Sequence, residues 1–304
     1  MEPFRSVGTM HTDLRVLSTG WSFLESPRWH RGRLYVSDFY SRQVVAFAVD
    51  GTYEQLATVP GMPSGLGFDR DGELLVVSMS DRRLLRIRDG QNETVADLGE
   101  LAGWHCNDMA VDAVGRAYVG NFGWDSSSDP RIRPADLIRV DPDGSAQIAA
   151  RDLVFPNGIA LADGGETLLV AETFAARITA FDVAADGSLV NRRVWAAFAD
   201  SVGESIFDAL ASGAPLPDGI AVDAENAVWL GDAGGGGALR VAEGGEILER
   251  IEIGARETVF AVALGGEDLR TLFLCVAPVP LESDPEVDRL SRLVACRVEV
   301  AGAG

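Results

Sequence analysis

The 304-residue chain contains no lysine, three cysteines and three histidines, and each scarcity removes a class of function. Its 26 basic residues are arginines that nowhere gather into a patch, and they face 46 acidic residues, for a formal net charge of −20. A surface that grips phosphate backbones needs clustered positive charge, so nucleic acid is excluded as a partner. Cys106, Cys275 and Cys296 are too few and too scattered for a disulfide framework or a zinc site, and they read as reduced and buried, in keeping with a cytoplasmic protein. No apolar run reaches the roughly 18 residues of a membrane span. The run from Thr271 to Ala277 stops at Pro278, and Glu2, Arg5, Asp13 and Arg15 interrupt the N-terminal stretch where a secretory leader would need an apolar core. No membrane partner is expected. Neither a Gly-X-Ser-X-Gly elbow nor a Ser-His-Asp arrangement is present, so serine nucleophile chemistry has no support. His11 and His30 sit in no motif.

What the chain does have is 47% apolar residues, enough for a sizeable core, arranged in a repeat. Glu25-Ser-Pro-Arg-Trp29, Arg33 to Asp38 and Gln43 to Val49 end in the turn Asp50-Gly51. The same strand, strand, strand, turn order returns from Ser64 to Asp89-Gly90, from Asn107 to Asp143-Gly144 and from Asn157 to Asp186-Gly187. It starts again at Asp218 and, more weakly, near Phe260. Apolar residues alternate with period two and glycines interrupt them every few positions, which excludes long helices. Repeats of this size and content predict an all-β, six-bladed β-propeller of four-stranded antiparallel blades, one domain over 1–304. A strand at Leu14 to Leu17 is expected to close the ring beside Leu293 to Val298, removing the open edges. Ser201 to Leu210 is expected to form a helical turn or two. The connections 121–136 and 192–217 are the long ones and candidates for function. The glycine run from Gly234 to Gly237 is either a flexible turn or a place of close backbone approach.

In a propeller, equivalent repeat positions lie at equivalent places around the channel. The start of each innermost strand gives Glu25, Ser64, Asn107, Asn157 and Asp218. Asn157 and Asp218 each follow a proline and precede a glycine, at the beginning of the repeat, whereas the ordinary Asp-Gly turns fall at its end. Asn and Asp at such corners can simply satisfy local backbone. Taken together, two carboxylates and two amide carbonyls are the hard oxygen ligands that calcium prefers, with positions left over for water or substrate.

Glu25-Ser-Pro-Arg-Trp29, Asn107-Asp-Met-Ala-Val-Asp112 with Gly115-Arg116, Pro156-Asn157-Gly158 and Pro217-Asp218-Gly219-Ile-Ala-Val-Asp223 together resemble the regucalcin and gluconolactonase family, which includes senescence marker protein and luciferin-regenerating enzyme. The resemblance runs from about Leu14 to Val300. It implies one divalent cation, most often calcium, with zinc, manganese and magnesium as alternatives, and hydrolysis of a lactone or related ester. Glu25, Asn157 and Asp218 would be metal ligands. Asn107 would be a fourth ligand or a substrate contact. Asp218 would also be the catalytic residue, either as general base or as nucleophile. His105 stands where sugar-binding members carry arginine, and Asp125 matches an acidic position that follows in those members. His105, Asp125 and Trp124 are therefore expected on the substrate side. The sixth repeat supplies no polar side chain, and Trp104, Phe122, Trp124 and Phe155 near the mouth point to a substrate more apolar than an aldonolactone. Competing readings are a phosphotriesterase-like hydrolase and a non-catalytic propeller that binds calcium or a small ligand. A strictosidine-synthase-like propeller is disfavoured, because its catalytic glutamate has no clear match.

Overall fold

The protein structure, a computed structural model, describes residues 13–254, 256–278 and 284–303. After β1 (Arg15–Trp21), the alternating segments form blade 1 from β2 (Leu24–His30), β3 (Arg33–Asp38), β4 (Gln43–Phe47) and β5 (Tyr53–Thr58). Blade 2 holds β6 (Pro63–Phe68), β7 (Leu74–Ser78), β8 (Arg83–Arg88) and β9 (Gln91–Asp97), and blade 3 holds β10 (Cys106–Val111), β11 (Ala117–Asn121), β12 (Ala135–Val140) and β13 (Ala146–Leu153). Blade 4 is β14 (Pro156–Ala162), β15 (Thr167–Glu172), β16 (Arg177–Val183) and β17 (Leu189–Ala197). Blade 5 is β18 (Pro217–Val222), β19 (Val228–Asp232), β20 (Gly237–Val241) and β21 (Ile247–Ile251). Blade 6 takes β22 (Glu257–Gly265), β23 (Thr271–Pro278) and β24 (Ser291–Arg297), and β1 completes it as the outermost strand.

That last pairing, with Arg15 opposite Ala295 and Trp21 opposite Ser291, is the closure expected from the sequence. It ties the first strand to the last blade and leaves no unpaired edge between them.

Each blade is apolar on both faces, so the core is distributed as layers between neighbouring blades. One cluster joins blades 4 and 5 through Leu169, Ala171, Ile220 and Leu230, and another joins blades 6 and 1 through Phe273, Cys275, Leu34 and Val36. Cys106, Cys275 and Cys296 are free thiols buried in such layers, as expected. Burial pushes the Cys275 thiol far above its usual range, which leaves it unreactive.

Antiparallel strands place the start of every innermost strand, every inter-blade linker and every turn between second and third strands at one end of the ring. The two long connections meet there. Ile132 N–H donates to the Glu204 carbonyl at 2.8 Å, and Ile206 N–H donates to the Pro130 carbonyl at 2.9 Å. Helix α1 (Ile206–Ala211) is the short helix anticipated in this stretch. Ser205 and Asp208 cap its start reciprocally. Ala176, Val202, Ala209 and Leu216 form a small buried core under the clasp, with Ile132 and Phe174 packed against it. The run from Gly234 to Gly237 is the turn between β19 and β20, and Gly237 lies close against the Ile251 carbonyl.

Candidate metal and substrate site

The site residues occupy the second position of the innermost strands, one place further in than the repeat suggested, and a backbone irregularity sets their aim. In blade 5, Pro217 pairs with Asp232 and Ile220 with Leu230, so Asp218 and Gly219 together face the single residue Gly231. The same two-against-one bulge holds Asn157-Gly158, Asn107-Asp108 and Ser64-Gly65. A β-bulge redirects a side chain that the regular pleat would have sent to a blade face. Proline is accommodated at the first strand position. Glycine follows because the neighbouring blade passes against it: a Cβ on Gly158 would lie 2.2 Å from the Asp218 carbonyl oxygen, and one on Gly219 would lie 2.4 Å from the Ala261 Cβ. The Pro-X-Gly corner is thus a first strand residue, a ligand carrier and a contact with the next blade.

In blade 6 the equivalent register shift falls between Val259 and Ala261, and the residue in it is Phe260. Glu25 follows Leu24, which pairs with Asp38 as Pro217 pairs with Asp232. The complete ring is therefore Glu25, Ser64, Asn107, Asn157, Asp218 and Phe260.

Buried carboxylates at the ends of the second strands brace the entry to three of these positions. Asp38 accepts the Phe23 N–H at 2.8 Å, Glu172 accepts the Val154 N–H at 2.7 Å and Asp232 accepts the Leu216 N–H at 2.8 Å. Hydroxyls tie blade to blade: Ser37 donates to the Ser64 carbonyl at 2.6 Å and Thr173 to the Pro217 carbonyl at 2.8 Å. Asn157 donates its amide N–H to Thr173 Oγ1 at 3.3 Å, which leaves its carbonyl oxygen available. Asn107 bridges Ser64 and the Pro156 carbonyl through two 3.4 Å contacts.

Glu25, Asn107, Asn157 and Asp218 are all buried, between 5% and 8% exposed. Burial raises the Asp218 carboxyl well above its usual range, and the charges of Glu25 and Asp108 raise it further. Glu25 is pushed up to about 8, chiefly by burial and with Asp108 adding to it. Asp218 Oδ1 is buried without a hydrogen-bond partner. A buried carboxylate oxygen in that state is costly unless something cationic or acidic meets it. Ionised, Glu25, Asp108 and Asp218 set three negative charges against the guanidinium of Arg28, and Asp232 adds to the negative field at Asp218, a setting that favours a divalent cation. The donor set is all oxygen, which suits calcium. Among the described residues no three His, Cys, Asp or Glu side chains form a metal-holding cluster, so a cation here would depend on the two asparagine amides as well.

Of the residues expected on the substrate side, His105 lies half-buried in the linker before β10, stacked on Trp104 at 5.0 Å and near Phe122 at 5.9 Å. Its burial lowers its pKa, and the nearby Asp125 opposes this. Asp125 and Trp124 lie in the loop after β11, where local structure engages Asp125 Oδ1 and Trp124 Nε1. Asp125 accepts from Ser127 N at 3.1 Å and Ser127 Oγ at 2.5 Å, and Trp124 Nε1 donates to the Asp129 carbonyl at 2.9 Å.

Arg28 and Asp108 both stand inside the quoted motifs, yet sequence gave them no role. Arg28 Nη2 reaches the Asp108 carboxylate at 2.7 and 2.9 Å and the Met109 carbonyl at 2.7 Å, linking blades 1 and 3 across the channel. Arg28 also lines a channel cavity of about 420 Å³ toward the opposite end, where Gly302 and Ala303 contribute to the wall. The available signal was a basic residue three places after Glu25 on the same innermost strand. Arg28→Met leaves Asp108 charged and unpaired in a buried setting, at a cost of roughly 3 kcal/mol. The expected fall in Tm is about 6 °C, measured by calorimetry, with partial recovery in Arg28→Met/Asp108→Asn.

The description SMP-30/Gluconolactonase/LRE-like region matches residues 23–278. Pentonolactonase XacC of Haloferax volcanii is 26% identical over 269 residues, covering 88% of this chain and 85% of that protein. Among solved structures, a calcium-binding protein, regucalcin, from Agrobacterium tumefaciens superposes with a TM-score of 0.78 at 21% identity, over 98% of this chain and 97% of the other. A gluconolactonase from Xanthomonas campestris superposes with a TM-score of 0.71 at 25% identity, over 97% and 96%. With six blades, a ring of inward oxygen donors and a match over most of its length, this chain belongs to the SMP-30/gluconolactonase/LRE-like family.

Proposed function

We propose that this protein is a lactonase that opens a cyclic ester with a divalent cation, calcium first among the candidates, held by Glu25, Asn157 and Asp218 with Asn107 as fourth ligand or substrate contact. The observation that carries the reading is Asp218 Oδ1, buried and without a partner at a ring position shared with Glu25 and the two asparagines. The names of pentonolactonase XacC and the Xanthomonas gluconolactonase support the reaction class.

When bound, the cation supplies a fixed positive charge that favours negative charge developing on a carbonyl oxygen. The chain supplies the rest. Asp218 accepts the proton of a water molecule as its oxygen adds to the lactone carbonyl carbon. The ring C–O bond then breaks, and the departing oxygen takes up that proton to give the hydroxy acid. Asn157 and Glu25 are themselves held, Asn157 by Thr173 Oγ1 at 3.3 Å and Glu25 by the Ser26 N–H, 3.1 Å from Glu25 Oε2. The bulge and the carboxylate braces under it hold these groups in place before substrate arrives, which is where preorganised sites gain rate.

The test is a panel of γ- and δ-lactones, aryl esters and phosphotriesters, assayed with calcium, magnesium, manganese and zinc. Lactone opening that depends on an added divalent cation is the expected result. Turnover of phosphotriesters alone would transfer the site to that chemistry, and no turnover across the panel would leave a binding propeller.

A further inference from the structure

Two aromatic walls flank the ring across its diameter. Blades follow one another in chain order, with β22 packed against both β18 and β2, so Phe260 stands between Asp218 on one side and Glu25 on the other. Phe260 packs on Phe23 at 4.7 Å, and Phe23 continues to Phe39 at 5.5 Å and Tyr40 at 6.2 Å. Phe39 and Tyr40 lie at the turn after β3, so this strip runs from the ring outward along blade 1. Opposite it, blades 3 and 4 present Phe122 stacked on Phe155 at 4.5 Å and Phe155 against Phe174 at 4.7 Å.

Groups that could meet several sugar hydroxyls are scarce between these walls. Asp125 Oδ1 is engaged by Ser127 and the Trp124 N–H by the Asp129 carbonyl, which leaves His105 and Asn107 as the principal polar side chains expected on the substrate side. A polyhydroxylated ring placed here would press hydroxyls against aromatic faces without partners, which costs binding energy.

We propose that the site takes lactones bearing an apolar alkyl substituent, which lies along Phe260, Phe23, Phe39 and Tyr40 while the ester faces Glu25 and Asp218. The proposal rests on the lactonase reading for its chemistry and on the walls for its specificity.

Binding is measured separately from turnover. Non-hydrolysable γ-alkyl lactams with side chains from methyl to hexyl are titrated calorimetrically into the full-length protein, beside a polyhydroxylated lactam of gluconolactone shape. Affinity is expected to rise about threefold for each methylene buried, and the polyhydroxylated lactam to bind more weakly than the hexyl one. Phe260→Ser is expected to weaken the hexyl lactam about tenfold and to leave the methyl lactam within about twofold. Phe23→Leu serves as the second variant, with a smaller loss in the same direction.

Affinity independent of chain length in the unaltered protein overturns the proposal, as does tighter binding of the polyhydroxylated lactam. In parallel, kcat/KM is measured for the matching γ-alkyl lactones and for D-gluconolactone. Chain-dependent lactam binding with no turnover of any lactone removes the lactonase reading but supports the apolar site. Faster opening of gluconolactone than of every alkyl lactone overturns the apolar assignment and keeps the reaction class.

Discussion

Asp218→Asn is expected to lower kcat/KM for lactone opening by about 10³-fold or more, the upper part of the range for loss of a general base. Asparagine keeps the shape of the side chain and an oxygen for ligation but removes the basic carboxylate. The loss should appear in kcat more than in KM, because proton transfer belongs to the transition state rather than to substrate binding. The variant should fold: Asp218 Oδ1 has no hydrogen-bond partner to lose, and an amide is neutral at every pH, so burying it carries none of the cost of burying an ionised carboxylate beside Glu25 and Asp108. Its Tm without divalent cation is therefore expected to equal or exceed that of the unaltered protein. An Asp218→Asn protein with full activity would refute the assignment. Trapping of an acyl adduct on Asp218 would show that it attacks the carbonyl directly.

Stripping divalent cations with EDTA is expected to bring lactone opening to background, with calcium restoring it. The same site predicts a stability signature that needs no substrate. Without a cation, Glu25 and Asp218 hold protons in the folded protein at pH values where the unfolded chain has lost them. That window runs from the ordinary carboxylate range near about 4 up to about 8 for Glu25. The folded state binds more protons across it, so stability without cation falls as pH rises. Calcium competes with those protons. Millimolar calcium should therefore raise Tm by several degrees at about pH 8 and by little at about pH 5. An equal rise at both, or none, would count against ligation by these carboxylates.

Much of this was legible in the chain itself. Alternation and the recurring Asp-Gly turns identified strands and their number, because a strand buried on both faces still needs turns at regular intervals. Glu25, Asn107, Asn157 and Asp218 could be read as equivalent because a repeat unit that becomes a blade converts sequence period into angular position. The closing strand was legible for the same reason, since the sixth blade lacked one strand and Leu14 to Leu17 had no other partner.

Other features depend on contacts between segments far apart in sequence. Bulges at the second strand position became visible only in the pairing of one strand with its neighbour, and they decide which side chains leave the blade for the channel. Arg28 and Asp108 are 80 residues apart, and only ring closure brings them to 2.7 Å. Asp125 and Trp124 were read from side-chain type alone, whereas their hydrogen bonds to Ser127 and Asp129 are set by a loop conformation that no period encodes.

The sequence by itself determined the six-bladed architecture and the five oxygen-bearing ring residues, Glu25, Ser64, Asn107, Asn157 and Asp218, because both follow from local period and strand-entry residues. Tertiary structure alone decided that Phe260 fills the sixth position, that Arg28 spans the channel and that aromatic walls face one another across it, because each depends on how non-neighbouring blades meet around a closed ring.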